Sequence, residues 1–145
     1  MKLLSIVFSF HNEEKNIVEL INRTSSIITQ LGNWDYELIF VNDDSADNSE
    51  KILIEKQKTY PIKIINMSRR FGVGPCVLAG LQLAKGDAVI YMDSDLQDPP
   101  EIIPKLIKKF ENGIDVVHTK RTKRLGESRF KIVLTKIAYR IINKT

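Results

Sequence analysis

Two carboxylates at the end of an apolar run have the clearest chemical potential in this chain. Asp93 and Asp95 follow the apolar residues 89–92 and are separated only by Ser94. Successive side chains of a strand point to opposite faces, so these carboxylates converge only if the chain bends at Ser94. Converging carboxylates repel each other unless a cation lies between them, and carboxylate oxygens are ligands that divalent cations prefer. The pattern therefore predicts a metal or phosphate site where a strand ends.

The residues after this pair are typical of a helix start. Asp98 precedes Pro99, which suits the first helical position, and Glu101 follows Asp98 at the spacing of a capping box. Residues 47–50, Asp-Asn-Ser-Glu, form a second such pattern. We therefore assign Asp98 and Glu101 to helix capping and keep Asp93 and Asp95 as site candidates.

Length and composition bound the fold. The chain has 145 residues, and we predict one domain over residues 1–145, cut short at its carboxyl end. A single cysteine, Cys76, excludes an internal disulfide and a cysteine-rich zinc site, and we expect it to be small apolar filler. Residues 3–10 lead into a polar run, so they are interpreted as a strand and not as a signal peptide. No run of about 18 apolar residues occurs, so any membrane contact is expected to be peripheral.

Positive charge is concentrated at one end of the chain. The formal net charge is +4, but residues 118–145 carry nine Lys or Arg and one acid, Glu127, which gives +8 there and −4 elsewhere. This asymmetry predicts an anionic partner: a phosphate, a membrane surface or nucleic acid. Within the basic segment 125–145, residues 130–143 have apolar side chains at helical spacing, which predicts an amphipathic helix that packs on the sheet or lies on a membrane.

Apolar, β-rich runs alternate with helical patterns. The first helical pattern repeats with a period near 3.6 residues and stops at Gly32. This alternation predicts an α/β fold with a mostly parallel sheet flanked by helices. The predicted strands are residues 3–10, 36–41, 62–67, 88–92 and 114–117.

Polar residues follow four of these runs at the point where each strand ends. The carboxyl ends of parallel strands meet at one edge of the sheet, where ligands bind in open α/β folds. We therefore predict one shared crevice for a ligand that carries phosphates and a divalent ion, with arginines on the phosphate oxygens. The residues are Asn12 and Glu13, Asp43 and Asp44, Arg69 and Arg70, and Asp93 and Asp95.

Three other site classes fit less well. Gly72 and Gly74 begin a glycine-rich turn, but Val77 stands where a dinucleotide fingerprint needs its third glycine. An aspartyl-phosphate phosphatase also uses Asp-x-Asp, yet the acids after Asp98 include none of the paired acids that such an enzyme needs for magnesium. Nucleic acid would suit the basic end, but an acidic crevice repels a phosphate backbone, so no nucleic-acid partner is expected.

Several motifs in order resemble a known family, the family 2 glycosyltransferases of the GT-A fold. Within it the chain is similar to the branch that makes polyprenyl-phosphate sugars, such as dolichyl-phosphate mannose synthase and bactoprenol glucosyl transferase. The match covers nearly the whole chain and corresponds to the N-terminal part of the family's chain. It consists of residues 10–14 (FHNEE), 41–45 (VNDDS), 68–72 (SRRFG), 79–81 (AGL), 86–90 (GDAVI), 93–101 (DSDLQDPPE), 120–121 (KR) and 126–128 (GES).

The resemblance implies a Rossmann-like GT-A nucleotide-diphospho-sugar transferase fold. It implies a metal-dependent inverting hexosyltransferase that moves a sugar from a UDP- or GDP-linked donor to undecaprenyl or dolichyl phosphate, in cell-envelope glycan or glycolipid biosynthesis. It further implies a Mg²⁺ or Mn²⁺ cofactor and work at the cytoplasmic face of the membrane, with transmembrane helices in many longer members. The oligomeric state is left open. Two alternatives also remain open: a transferase with a sugar-hydroxyl acceptor, and an inactive nucleotide-sugar-binding fragment.

The resemblance also assigns site residues. Asp43 would bind the nucleotide base, with Glu13 near the base and ribose. The cation ligands would be Asp95 and Gln97 together with Asp93, which would face either the ribose or the metal, and the catalytic residues would be Asp93, Asp95 and Arg121. The acceptor phosphate would meet Arg121, Arg124, Ser128 and Lys131. Donor contacts would come from Phe10, His11, Asn12, Glu13, Asp43, Arg70, Gly72, Asp93, Ser94 and Asp95.

The chain departs from the family pattern at several positions. Asp44 replaces a glycine and is expected to need a positive φ, which Asp tolerates better than most residues. His11 is a candidate to stack on the base, whereas His118 is assigned a structural role. The departures are Ser9 for proline, His11 for tyrosine, Asp44 for glycine, Arg70 for asparagine, and Val73 and Gly74 for a lysine and a polar residue.

Overall fold

The structure, a computed structural model, describes residues 1–120. Residues 1–115 form one compact unit, and residues 116–145 form a second unit, of which 116–120 are described. The predictions for Arg121, Arg124, Ser128, Lys131 and segment 125–145 lie outside the described residues. The elements in chain order are β1 (Lys2–Phe10), α1 (Ile17–Thr29), β2 (Trp34–Asn42), α2 (Ser49–Lys56), β3 (Ile62–Asn66), α3 (Val73–Leu83), β4 (Ala88–Asp93), a 3-10 helix (Pro100–Ile102) and α4 (Ile103–Glu111).

The strands form a parallel sheet in the order β3-β2-β1-β4. Central β1 pairs with β2 from Lys2 opposite Trp34 to Phe10 opposite Asn42, and with β4 from Leu4 opposite Ala88 to Ser9 opposite Asp93. The predicted α/β fold with a parallel sheet is confirmed. All four strands point the same way, so their carboxyl ends lie along one edge of the sheet.

Helices cover the two faces of the sheet unequally. Alternate strand residues point to opposite faces. Leu4, Ile6 and Phe8 of β1 join the larger core cluster, which includes apolar residues of α1, α2 and α4. Val7 of β1 joins a smaller cluster with Cys76 of α3. Helix α3 alone therefore covers the second face within the described residues.

Two glycines allow α3 and its connection to β4 to lie close to the sheet. A Cβ on Gly80 would collide with the side chain of Val7 and lie 3.2 Å from Val41 Cγ2. A Cβ on Gly86 would lie 2.6 Å from the backbone nitrogen of Ser5 and 2.8 Å from the oxygen of Leu3. Both positions therefore require glycine for steric reasons.

The second face of β4 is largely uncovered in the described residues. Helix α3 packs on β1 and β2, while Val89 and Tyr91 of β4 are 42% and 37% exposed. Leu78 of α3 is 63% exposed. Among residues 1–120, no helix is long and apolar enough to cross a membrane.

The predicted strand at residues 114–117 is wrong. These residues have no strand structure, and Ile114 and Val116 are 40% and 68% exposed. A strand needs a neighbour for its backbone N–H and C=O groups, and no described strand pairs with this run. A short apolar run is therefore not sufficient to predict a strand.

The two predicted capping boxes also differ from the structure. The N-cap of the 3-10 helix is Pro99, which makes no side-chain hydrogen bond, and Glu101 accepts hydrogen bonds from Arg23 at 2.7 and 3.0 Å instead of completing a capping box. At α2 half of the box forms, because Asp47 Oδ1 accepts the Ser49 N–H at 3.0 Å while Glu50 accepts from Asn66. In both cases a residue distant in sequence donates hydrogen bonds to the glutamate carboxylate.

Candidate functional site

One cavity lies at the carboxyl ends of the strands. Its volume is about 340 Å³. Residues at the ends of all four strands contribute to it, so the predicted crevice is present, although Asn12, Asp44 and Arg69 are not among its lining residues. The lining residues are Ser9, Phe10, His11, Glu13, Asp43, Arg70, Gly72, Val73, Cys76, Asp93, Ser94 and Asp95.

The chain bends after Asp93, as the sequence predicted. Strand β4 ends at Asp93, and a turn follows at Ser94 and Asp95. The buried Ser94 hydroxyl donates to the Ser9 carbonyl at 2.9 Å, which ties the turn to the end of β1. Asp95 Oδ1 accepts the Gln97 N–H at 2.9 Å. The bend brings both carboxylates to the same cavity.

Leu96 completes this turn in a conformation unusual for its residue type. Its φ is 61°, in the left-handed region that L side chains other than Asn and Asp seldom adopt. Its side chain packs against the larger core cluster. Packing therefore fixes a strained turn directly after the two carboxylates, as is common where side chains are held for function.

Asp43 connects the end of β2 to the start of α3. Asp43 is only 6% exposed. Oδ1 accepts the Phe71 N–H at 2.7 Å and Oδ2 accepts the Gly72 N–H at 2.9 Å. Burial raises the pKa of this carboxyl, but those N–H groups, the Cys76 thiol and the Arg70 charge outweigh it, so the pKa is lowered. Asp43 is thus an anion held at the floor of the cavity.

His11 lies beside Asp43 at the cavity wall. Its Nδ1 is 2.8 Å from the Asp43 carbonyl oxygen, and its Nε2 is 3.2 Å from Asn12 Nδ2. A carbonyl only accepts and the amide nitrogen only donates, so the ring carries its proton on Nδ1. The ring plane is therefore fixed at the cavity, which is compatible with the stacking role predicted for it.

Asn12 does not line this cavity. Its φ is 59°, and its Oδ1 accepts the Ala46 N–H at 2.8 Å, which joins the loop after β1 to the loop after β2. Asp44 in the second loop has a positive φ, 61°. Asn12 lines a neighbouring cavity of about 490 Å³ together with Glu13 and Asp47. The structure thus gives Asn12 a loop-joining contact beside the cavity.

Sequence reasoning missed three lining residues: Ser9, Val73 and Cys76. Cys76 is fully buried as expected, but its thiol also contacts Asp43. Burial, and then the hydrogen bond with Asp43, raise the pKa of Cys76 to about 11, so it remains a thiol. The spacing could have revealed Cys76, because it lies three residues after Val73 on α3 and both side chains are on the helix face that borders the cavity.

The carboxylate pair fits a divalent cation that is shared with a ligand. Within residues 1–120 no cluster of three or more His, Cys, Asp or Glu side chains is arranged to hold a metal ion. Asp93 and Asp95 supply two of the four carboxylates that line the cavity, beside those of Glu13 and Asp43, and Mg²⁺ commonly binds through one or two carboxylates plus substrate phosphates. Gln97, the third predicted ligand, is not among the lining residues but gives its N–H to Asp95.

Comparison with known families identifies the chain. A sequence model of the family described as "Glycosyl transferase family 2" matches residues 5–144. The chain belongs to glycosyltransferase family 2. The resemblance recognised in the motifs is confirmed at the level of the family, and the matched region contains all residues that line the cavity and the sheet except the first three residues of β1.

Two curated relatives are similar along almost the whole chain. Over 142 residues, the chain is 43% identical to the uncharacterized glycosyltransferase sll0501 of Synechocystis sp., with 97% of this chain and 44% of the relative covered. Over 140 residues, it is 43% identical to the uncharacterized glycosyltransferase YkcC of Bacillus subtilis, with 96% and 43% covered. The chain therefore spans less than half the length of these relatives.

Solved structures share the fold. S. aureus TarS 1-349 in complex with UDP-GlcNAc is 21% identical, with a TM-score of 0.62 over 90% of this chain and 38% of that chain. The mannosyltransferase PcManGT from Pyrobaculum calidifontis, in complex with GDP-Man and Mn²⁺, is 18% identical, with a TM-score of 0.56 over 72% and 31%. The predicted GT-A architecture is confirmed by these likenesses.

Proposed function

We propose that this chain is the donor-binding part of a glycosyltransferase that takes a sugar from a nucleoside diphosphate and transfers it, with inversion, to a polyprenyl phosphate at the cytoplasmic face of a membrane. The donor nucleotide binds in the cavity at the strand ends. Base and ribose lie toward Asp43, His11 and Glu13, and the diphosphate lies toward Asp93 and Asp95.

The convergence of separate strand ends on one cavity carries this proposal. Asp43, Arg70, Asp93 and Asp95 follow three different strands and line the same space. A nucleoside diphosphate needs a polar pocket for its base and a cation for its phosphates, and a cationic side chain adds charge-assisted hydrogen bonds to phosphate oxygens. The known complexes of TarS with UDP-GlcNAc and of PcManGT with GDP-Man and Mn²⁺ support a ligand of this class.

Asp93 and Asp95 are the residues proposed to hold Mg²⁺ or Mn²⁺, with Gln97 supporting Asp95 through its N–H. The cation supplies charge that offsets the negative charge of the departing nucleoside diphosphate. The protein's own contribution is to keep the two carboxylates at the end of β4 and the ribose-binding loops at the ends of β1 and β2. Catalysis then depends on position and charge stabilisation.

A phosphate acceptor needs no catalytic base. The phosphate oxygen of a polyprenyl phosphate is already largely ionised near neutral pH, so no proton must be removed from it. A sugar-hydroxyl acceptor would require a carboxylate base, and it is the alternative acceptor class. Family membership argues against the aspartyl-phosphate phosphatase considered above.

Calorimetric titration tests the donor site. We expect UDP or GDP to bind the protein with Mn²⁺ and to bind more weakly without it. In Asp95→Asn the side chain can still accept the Gln97 N–H but carries no charge, so we expect the manganese-dependent gain to fall by about tenfold or more. A transfer assay with the bound nucleotide's sugar donor and undecaprenyl phosphate then tests the acceptor.

Asp115→Asn is the matched control. This carboxylate is exposed and follows α4, outside both cavities, so its variant should bind like the wild type. Absence of binding of either nucleotide to the folded protein would contradict the proposed donor site. Equal losses in the two variants would show a general charge effect instead of a cation site.

A further inference from the structure

Two hydroxyl groups, those of Tyr91 and Ser9, lie in series beside the Asp93 carboxylate. Ser9 and Asp93 are partners in the register of β1 and β4, and Tyr91 lies two residues before Asp93 on the same face. The Tyr91 hydroxyl is 2.6 Å from Asp93 Oδ1 and 3.2 Å from Ser9 Oγ. Tyr91 itself does not line the cavity.

The hydrogen bonds among Ser9, Tyr91 and Asp93 all run in one direction. A carboxylate only accepts, so the Tyr91 hydroxyl donates to Asp93. The tyrosine has a single proton, so Ser9 must be the donor to the Tyr91 oxygen. Hydrogen bonds in such a series polarise and strengthen one another.

The two carboxylates are held in matching ways. Asp93 is engaged through Oδ1 by Tyr91, and Asp95 is engaged through Oδ1 by the Gln97 N–H. In both residues the Oδ2 atom has no hydrogen bond to the described residues. Each side chain is thus fixed by one oxygen and presents the other to a ligand, which lowers the entropy lost when a ligand binds.

We propose that Tyr91 is a positioning residue for the divalent cation: supported by Ser9, it orients the Asp93 carboxylate so that Oδ2 is available to the metal that carries the donor diphosphate. This inference rests on the proposed function. It assigns to Tyr91 a role in the strength and geometry of cation binding, without direct contact with the nucleotide.

Tyr91→Phe tests the inference, because it keeps the ring and removes the hydroxyl. We expect UDP or GDP to bind this variant without metal within about twofold of the wild type. The additional affinity conferred by Mn²⁺ should fall by about tenfold, a loss typical for a group that orients a metal ligand. The electron paramagnetic resonance signal of protein-bound Mn²⁺ should change in the same variant. Ser9→Ala should give a smaller loss in the same direction.

Tyr60→Phe is the matched control, since the Tyr60 hydroxyl donates to Asn22 Oδ1 at 2.9 Å away from the cavity. It should keep wild-type manganese dependence. If the wild type shows metal-dependent binding and Tyr91→Phe matches it, the inference is overturned and the proposed function stands. A metal-free loss equal to the loss with metal would indicate only a structural role for Tyr91. A folded wild type that binds no nucleotide overturns both.

Discussion

Asp43 combines a structural contact with a proposed recognition role. Both of its oxygens already accept backbone N–H groups, yet each has a second lone pair for a ligand. The sequence predicted Asp43 as a site residue because it follows a strand. It gave no sign of the partners, Phe71 and Gly72, because nothing in a local pattern pairs a carboxylate with amides 28 and 29 residues away. By contrast, the bend at Ser94 followed from the spacing of Asp93 and Asp95 alone.

Replacement of Asp43 should show how pH acts on this site. In Asp43→Asn the amide can accept one of the two N–H groups but turns its own donor toward the other, so we expect a loss of about 1–3 kcal/mol in the free energy of unfolding at pH 7. The folded-state pKa of Asp43 lies below its ordinary value of 3.8. Its ionised form therefore stabilises the fold above that pH, and this stabilisation disappears as the pH falls through the folded-state pKa.

Urea denaturation of both proteins between pH 7 and pH 2 measures the effect. The difference in free energy of unfolding between wild type and Asp43→Asn should narrow as the solution becomes acidic. Other carboxyls with lowered pKa values, such as Glu37 and Asp47, act equally in both proteins and cancel in the difference. A difference that stays constant with pH would contradict the charged state assigned to Asp43.

At the scale of elements, periodicity predicted the framework well and contacts between elements poorly. Strands β1 to β4 and helix α1 appear within a few residues of the predicted ranges, because their apolar residues alternate or repeat with a clear period. The strand predicted at 114–117 was wrong because no described strand pairs with it, and the capping role predicted for Glu101 was wrong because its carboxylate binds a residue elsewhere in the chain. Glu101, for example, binds Arg23 on α1, 78 residues away.

Two glycines of α3 provide a test of how closely this helix packs. A Cβ on Gly80 would collide with Val7, whereas a Cβ on Gly74 meets no atom within 4 Å apart from its chain neighbours. We expect Gly80→Ala to lower the free energy of unfolding by about 1–3 kcal/mol through overpacking. Gly74→Ala, in the same helix, should have a smaller effect, because the helix propensity of alanine is offset by Pro75, which disfavours the helical conformation of a preceding residue that has a Cβ.

Thermal denaturation followed by circular dichroism compares the two variants. Since the same chemical change is made twice in one helix, the helix propensity of alanine does not explain a larger loss at Gly80. Equal effects of the two substitutions would contradict the close approach of α3 to β1.

At the scale of the whole molecule, charge differs between residues 118–145 and the rest of the sequence. Residues 118–145 carry +8 and the remaining residues −4. Anionic membranes attract basic segments, and this attraction weakens with salt. The proposed work at a membrane surface therefore assigns the first contact with lipid to the basic end and nucleotide binding to the acidic body.

Vesicle sedimentation tests this division. The protein should bind vesicles that contain phosphatidylglycerol, with weaker binding at 0.5 M than at about 0.05 M salt, as screening requires. The double variant Lys136→Gln, Arg140→Gln should lose roughly 1 kcal/mol of binding free energy for each charge removed. Lys56→Gln, Lys58→Gln removes equal charge from the body and should have little effect. Binding that ignores salt, or equal losses in both double variants, would contradict the assignment.

The central position of β1 has a consequence for how the site forms in time. Strand β1 leaves the ribosome before its partner β4, which follows about 80 residues later, and parallel pairings between such distant segments are slow to form. Asp93 therefore joins Asp43 in lining the cavity only after β4 has paired with β1. A nucleotide that contacts the ends of both β2 and β4 binds only the completed sheet. At a nucleotide concentration of 100 Kd, this binding would add about 2.7 kcal/mol to the stability of that state. The nucleotide donor would then stabilise the completed sheet in addition to serving as a substrate.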